Sequence, residues 1–245
     1  MMNSKSVLLV GLWLLTCIIT RAQSDCGTIT DYDGNVYPTV QLGEQCWMAQ
    51  NLRVKHFADG TPLLLGTETQ DSSRCYYNPA DISDAHGLLY TWFTALHGEK
   101  PSEAVPSGLR GVCPAGWHLP SNFEWMGLED FLGYKDEYRC GTDVNQVAKA
   151  MASQSEWVKD EYSTAGECCI VEHLSENNNS GMNILPAGSF WMGSYSGSGY
   201  NTGFWTASDG SDVTSPIHYL VSTNATVEIN CTPKDAAYSV RCIKD

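Results

Sequence analysis

Gly111-Val112-Cys113-Pro114-Ala115-Gly116-Trp117-His118-Leu119-Pro120-Ser121-Asn122-Phe123-Glu124-Trp125 is the stretch around which the rest of the chain can be placed. Trp117-His118-Leu119 alternates bulky apolar, polar and apolar, the pattern of a half-buried strand. Pro120 ends that strand, and Ser121 with Glu124 three positions later makes a capping box, in which each residue satisfies the other's backbone N–H. Phe123, Met126, Leu128, Phe131 and Leu132 then fall near helical spacing, which predicts a short amphipathic helix.

On the N-terminal side, residues 26 to 52 read as a β-hairpin region. Asp33-Gly34-Asn35 is a turn, Val36, Tyr37, Thr39 and Val40 favour strand, and a second turn at Gly43 precedes a strand at Cys46-Trp47-Met48. Asp31 and Asp33 are residues of a solvated turn, because no glutamate closes an EF-hand calcium loop at its twelfth position. Residues 53 to 85 are polar and punctuated by Pro62, Asn78-Pro79 and Asp81, a surface excursion. Gly87 to Leu96 is apolar enough to be buried, with a period ambiguous between strand and short helix. Residues 99 to 110 form a loop carrying Pro101 and Pro106.

On the C-terminal side, a polar loop around Cys140 leads to a shorter helix over 144 to 151, with Val147, Ala148 and Met151 as its stripe and Trp157 against it. Residues 161 to 180 read as a polar insertion holding Cys168-Cys169. Adjacent cysteines seldom bond each other, so each is expected to reach a different partner, with Cys140 a candidate for one. From Gly181 onward the chain is strand and turn. A Gly-Ser-Tyr tract spans 193 to 203, and four strand-type runs follow: Phe204 to Ala207, Ile217 to Val221, Val227 to Cys231 and Tyr238 to Ile243. Their short connections predict an antiparallel meander that closes the fold. Without internal repeat or linker, residues 23 to 245 are expected to form one domain.

The totals bound the function. A 42% apolar and 11% aromatic composition is that of a folded protein. A formal charge of −14, from 28 acidic against 14 basic residues, argues against nucleic acid and against anionic membrane surfaces. A basic start at Met1 to Lys5, an apolar run from Val7 to Ile19 and small residues around Thr20-Arg21-Ala22 predict a signal peptide, residues 1 to 22, cleaved after Ala22. The run is too short for a membrane span, and no second one follows, so the protein is expected to be secreted or displayed at the cell surface and not integral to the membrane. Cys17 sits in only a poor lipoprotein box, since Thr16 precedes it. Nine cysteines remain after cleavage. In an oxidising compartment they read as a disulfide framework, and their odd number leaves at least one thiol without an intramolecular partner.

No catalytic residue, metal site or cofactor emerges. Cys168-Cys169 with His173 has a zinc-like look, but disulfides compete for those thiols. The tract Gly193-Ser194-Tyr195-Ser196-Gly197 places Tyr195 where a nucleophile elbow needs serine. Dinucleotide and phosphate-loop patterns are absent. The candidate binding residues are Trp191, Tyr195, Tyr200 and Trp205, aromatics interleaved with glycine and serine as in adaptable binding loops. The competing reading makes Trp191 and Trp205 core tryptophans and leaves Tyr195 and Tyr200 at the surface.

Several stretches, in this order, carry a resemblance: Asp33-Gly34-Asn35-Val36-Tyr37, Gln45 to Leu52, Gly87 to Trp92, Val112 to Ser121, Leu185-Pro186-Ala187-Gly188, Phe204-Trp205 and Ser239-Val240-Arg241-Cys242. Together they resemble the FISUMP family, the Fibrobacter succinogenes major paralogous domain of secreted and surface bacterial proteins. The resemblance implies an α+β, C-type-lectin-like fold: two short helices, small antiparallel sheets and long irregular loops, braced by disulfides. It implies that Cys113 pairs with Cys242 and Cys26 with Cys46. The Glu-Pro-Asn, Gln-Pro-Asp and Trp-Asn-Asp motifs of calcium-dependent lectins are missing, so no calcium–sugar site is carried over. The active-site surroundings of the related formylglycine-generating enzymes are missing too. The function this implies is a non-catalytic binding or adhesion module for an extracellular glycan or protein. The alternatives are a secreted enzyme such as a hydrolase, and a structural surface component cross-linked through the odd cysteine.

Overall fold

A computed structural model describes residues 26–66, 73–77, 85–159 and 165–245. The leader reading for residues 1 to 22 and the turn markers Asn78-Pro79 and Asp81 lie outside them. Among the described residues, three sheets and three short α-helices make a mixed α+β architecture. The first sheet contains β1 (Thr28–Thr30), β2 (Val36–Leu42) and β3 (Gln45–Met48). The next sheet begins with the two-residue β4 (Leu64–Leu65), β5 (Arg74–Tyr77) and β6 (Leu88–Thr91), the last running straight into the one-turn helix α1 (Trp92–Leu96). Then come β7 (Trp117–His118), α2 (Asn122–Gly133) and α3 (Ala148–Met151). The C-terminal part supplies β8 (Ser189–Trp191), β9 (Ser194–Ser196), β10 (Asn201–Trp205), β11 (Thr214–Val221), β12 (Glu228–Pro233), β13 (Ala237–Tyr238) and β14 (Ile243–Lys244). The sheet orders are β1-β2-β3-β14-β7, β10-β11-β12 and β4-β5-β6-β13-β8-β9.

Gly87 to Leu96 satisfies both readings of its ambiguous period. β6 is buried on both faces, and Thr91 then caps α1 by accepting from the Thr94 N–H. The hinge forms where its sequence predicts, with β7, the capping box of Ser121 and Glu124, and α2, but the strand is buried on both faces and not half-buried, His118 included. The buried stripe of α2 differs from the expected one. Trp125, Leu128 and Leu132 face the core, while Phe123 and Met126 are exposed. The cap explains the rotation. The Glu124 carboxylate is buried and accepts from the backbone N–H groups of Ser107 (3.1 Å) and Ser121 (2.9 Å), so position 124 turns inward and 123 and 126 turn out. The shorter helix expected over 144 to 151 forms only as the single turn α3; Ala148 and Met151 on it and Val147 just before it share a buried cluster with Trp157.

Two main apolar clusters lie on either side of shared strands. Trp47 and Met48 on β3 enter opposite clusters, as do Phe204 and Trp205 on β10. Strands buried on both faces put successive side chains into alternate layers.

The last run corrects the expectation of a four-stranded meander. β10, β11 and β12 do form an antiparallel meander, but Tyr238 to Ile243 is not its fourth strand. It splits into β13, which pairs with β6 and β8, and β14, which pairs with β3 and β7. Between them the backbone serves three neighbours: Ser239 N–H donates to Gly203 C=O (3.1 Å), Val240 C=O accepts from Leu52 N–H (2.9 Å) and Cys242 C=O accepts from Met48 N–H (3.1 Å). Arg241, buried at this seam, donates from Nε to Asn51 Oδ1 (2.9 Å) and from its terminal nitrogens to the carbonyls of Met48 (3.3 Å), Met182 and Asn183 (3.2 Å).

The disulfides are Cys26–Cys46, Cys113–Cys242 and Cys140–Cys168. Both pairs implied by the family resemblance are present, and Cys168 takes the Cys140 partner proposed for one of the adjacent cysteines. Cys75 and Cys169 are buried free thiols and Cys231 an exposed one.

His118 fastens the hinge to the end of β14. Its Nε2 lies 2.9 Å from Glu124 Oε1 and its Nδ1 2.8 Å from Asp245 Oδ1. Burial alone would push its pKa down. The hydrogen bonds and charges of the two carboxylates outweigh that and hold it above its ordinary value of 6.5. A histidine whose folded pKa is raised stabilises the fold fully below its unfolded value and loses that contribution as pH rises through the folded one. The stability advantage of the native protein over a His118→Gln variant should therefore be largest just below the ordinary value of 6.5 and shrink as pH rises above it. Urea unfolding of both proteins below and above that value checks it; a gap that widens with pH would contradict the ion-paired histidine.

Candidate functional site

The aromatic tract folds as a hairpin at the edge of the largest sheet. β8 and β9 pair in the register Ser189↔Ser196, Phe190↔Tyr195 and Trp191↔Ser194. Met192 (φ 52°) and Gly193 (φ 76°) form the two-residue connection, and positive φ at both positions is what the twist of a tight hairpin demands. Opposite residues share a face, so Tyr195 lies with Phe190, whose ring is 4.7 Å away, and Trp191 leaves by the other face. Phe190 stacks in turn on Tyr76 at 4.0 Å, anchoring one side of the hairpin in a small buried cluster.

Trp191 (44% exposed), Tyr195 (36%) and Tyr200 (43%) are accessible, which removes the core reading of Trp191. Trp205 is fully buried. Its indole N–H donates to Tyr90 C=O (2.7 Å) and its ring meets Tyr238 edge-on at 5.5 Å. As a ligand-contacting residue it is corrected: it points inward, into the main cluster with Tyr90 and Val240, and not toward the exposed aromatics.

Concave surface lies elsewhere. A groove of about 430 Å³ runs between α2 and β12, with Met126, Glu129, Val144, Val227 and Ile229 on its walls. Behind it the buried His218 holds Glu129 Oε1 (2.5 Å) on Nδ1 and Asn122 Oδ1 (3.1 Å) on Nε2, with Trp125 stacked on the ring. Both ring nitrogens are thus occupied, a bracing role between helix and sheet.

Two further basins share one ridge. The residue 55–63 loop closes through Leu63 N–H to Lys55 C=O (2.8 Å) and Phe57 N–H to Thr61 C=O (2.8 Å), lifting Phe57 and Asp59 to its tip. Helix α1 ends at His97, whose left-handed backbone (φ 54°) brings its ring onto Phe57 at 3.5 Å, nearly parallel. The following loop reaches this point because Gly111 lies against α1. A Cβ there would sit 2.0 Å from Ala95 C=O, and the neighbouring Val112 N–H donates to that same carbonyl (2.9 Å). On one side of the ridge, Asp59, Glu99 and Arg110 line a polar basin of about 250 Å³. On the other, Pro62, Leu64 and Phe93 line an apolar basin of about 290 Å³.

Residue spacing gave no sign of this site, since Phe57, His97 and Arg110 are far apart in the chain. The local signals were the glycines at 60, 98 and 111, each at positive φ beside a chemically active residue. The other sequence candidates have structural tasks. Asp31 accepts from Asn35 N–H (2.9 Å) and Tyr37 Oη (2.5 Å), and Asp33 meets His56 Nδ1 (2.5 Å). Cys168 is spent in its disulfide, so the Cys168-Cys169-His173 grouping is not a thiolate pair.

A family model described as the Fibrobacter succinogenes major domain matches residues 40–244. No curated protein matches the chain, and no solved structure does.

Proposed function

Because the chain belongs to the Fibrobacter succinogenes major domain family, whose members point to the cell surface or the extracellular space, we propose that it is a non-catalytic binding or adhesion module. Its disulfides suit that oxidising setting. On this reading, a lectin-like scaffold displays its loops to an extracellular glycan or protein. The observation that carries the proposal is the pinned hairpin, with Trp191 exposed on one face, Tyr195 on the other and Met192 at its turn, and with Tyr200 exposed just before β10. The backbone beneath it is held by Gly188 N–H to Asn201 C=O (2.8 Å) and Gly199 N–H to Pro186 C=O (3.0 Å). Rigid aromatics on a fixed backbone lose little entropy on contact. Glycan and protein arrays probed with the disulfide-intact protein test it, with a Trp191→Ala, Tyr195→Ala double variant as control. Silence on both arrays, with turnover on a generic hydrolase panel, would replace this reading with the enzyme one.

One observation favours a structural role beside it. Cys231 is an exposed thiol on β12, which is the edge strand of its sheet. An edge strand is a template for pairing with another chain. Oxidised protein should then run as a cross-linked species on a non-reducing gel, collapse to monomer with reductant, and stay monomeric as Cys231→Ser. A monomer under both conditions removes the structural reading.

A further inference from the structure

The geometry points to the double basin around Phe57 and His97 as a binding site for an apolar amino-acid unit bearing a free α-carboxylate, either a free amino acid or the C-terminal residue of a peptide. The site shares no residue with the β8–β9 hairpin and goes beyond the reading carried there. Three features select that chemistry. The Arg110 guanidinium makes no hydrogen bond or ion pair among the described residues, in a chain with 28 acidic and 14 basic side chains. An exposed planar fork of five N–H donors without an internal partner matches a carboxylate bidentately. On the same basin, Asp59 accepts from Thr61 N–H (2.8 Å) and Glu99 from Gly111 N–H (2.8 Å). A carboxylate has about four acceptor sites, so each retains capacity for the ligand's amide N–H or ammonium. Basic and acidic groups in one small basin fit the two polar ends of an amino-acid unit better than a lone anion.

Across the ridge, Leu64 is 54% and Phe93 46% exposed, and Pro62 completes the wall. This basin has the size and apolar lining to desolvate a leucine- or phenylalanine-like side chain. A hydroxylated sugar ring would lose hydrogen bonds to water there without replacement. The ridge itself supplies the third feature. The residue closing a helix in the left-handed conformation is usually glycine, yet this position holds His97, and a glycine at positive φ follows it immediately. A side chain retained at backbone cost is a pointer to a role for the ring, and here the ring forms, with Phe57, the wall common to both basins.

Calorimetry with the disulfide-bonded protein tests this using four probes: N-acetyl-alanyl-leucine with a free carboxylate, the same dipeptide as its amide, free L-leucine, and glucuronate. The acid dipeptide should bind about tenfold or more tightly than the amide, because the amide leaves Arg110 unpaired. Tighter binding of the dipeptide than of leucine assigns a peptide end, and the reverse a free amino acid. Arg110→Gln should erase the acid-over-amide preference without lowering the unfolding midpoint. His97→Gly should weaken binding about tenfold while keeping the fold, since glycine suits that backbone. Equal binding of acid and amide, binding of glucuronate alone, or no binding of any probe would overturn the assignment. If none of the four probes binds while the arrays detect a ligand that the Trp191→Ala, Tyr195→Ala variant loses, the assignment falls while the binding-module reading stands.

Discussion

A Cys113→Ala, Cys242→Ala double variant should lose about 5 kcal/mol of unfolding free energy, the largest loss from removing any one of the three disulfides. The bond closes a separation of 129 residues, against 20 for Cys26–Cys46 and 28 for Cys140–Cys168. In the chain-entropy account those shorter loops are worth about 3–4 kcal/mol each. Both cysteines of the long bond are buried in the cluster that also holds Trp117 and Leu119, so its removal frees the hinge from the end of the chain in the unfolded ensemble. For a domain of this size the loss corresponds to a fall in melting temperature of about 10–20 °C. The urea dependence should steepen as well, because an unfolded chain without the long cross-link exposes more surface. Urea unfolding of the three paired-alanine variants decides the ranking. A loss for this pair no larger than for Cys26→Ala, Cys46→Ala would mean that the unfolded chain is already held compact by other contacts.

The hinge is legible from its own residues, but local polarity misleads over 53 to 85, where β5 pairs with β6 and buries Cys75 and Tyr76, and over 144 to 151, where only the last turn is helical. The strand, the proline stop and the cap of the hinge are short-range features, and they appear where their residues require. The rotation of α2 was illegible because it follows from Ser107, fourteen residues before the cap, whose N–H draws the Glu124 carboxylate inward. The same holds for the last run. Val240 and Cys242 have neighbours typical of a strand, but their carbonyls serve Leu52 and Met48, almost two hundred residues back. Strand character says that a segment is extended; it does not say which edge receives it.

The candidate site shows the same division. Glycine and serine around Tyr195 and Tyr200 foretold their exposure, since small residues cannot cover an aromatic neighbour. Trp191 and Tyr195 looked like members of one surface, and the hairpin register separates them onto opposite faces once Met192 and Gly193 are known to be the turn. Phe57 and His97 could not be joined from spacing at all. Their meeting depends on Gly111 letting one loop rest on α1, a steric fact that no periodicity carries.

Arg241→Ala should destabilise the protein by about 3–5 kcal/mol, the range for removing one partner from a buried, charged hydrogen-bond network. Burial pushes the guanidinium's pKa down, to about 9, so it is still charged at neutral pH. Its acceptors are Asn51 and the carbonyls of Met48, Met182 and Asn183, drawn from two segments that otherwise belong to different parts of the fold. Phe204 lies under the guanidinium at 5.5 Å. Alanine would leave these carbonyls dry and unpaired beside a cavity. Arg241→Lys should recover less than half of the loss, because one ammonium cannot reach acceptors spread around a planar fork. Arg241→Met separates charge from packing. It fills the space and removes the cost of burying a cation, but it still orphans the carbonyls, so its loss should lie between those of lysine and alanine. A methionine variant as stable as the native protein would show that the cation's burial costs as much as its hydrogen bonds return, and that packing alone holds residues 48, 182 and 241 together. Asn51→Ala combined with Arg241→Ala should cost less than the two single losses added, since both act through the Nε bond.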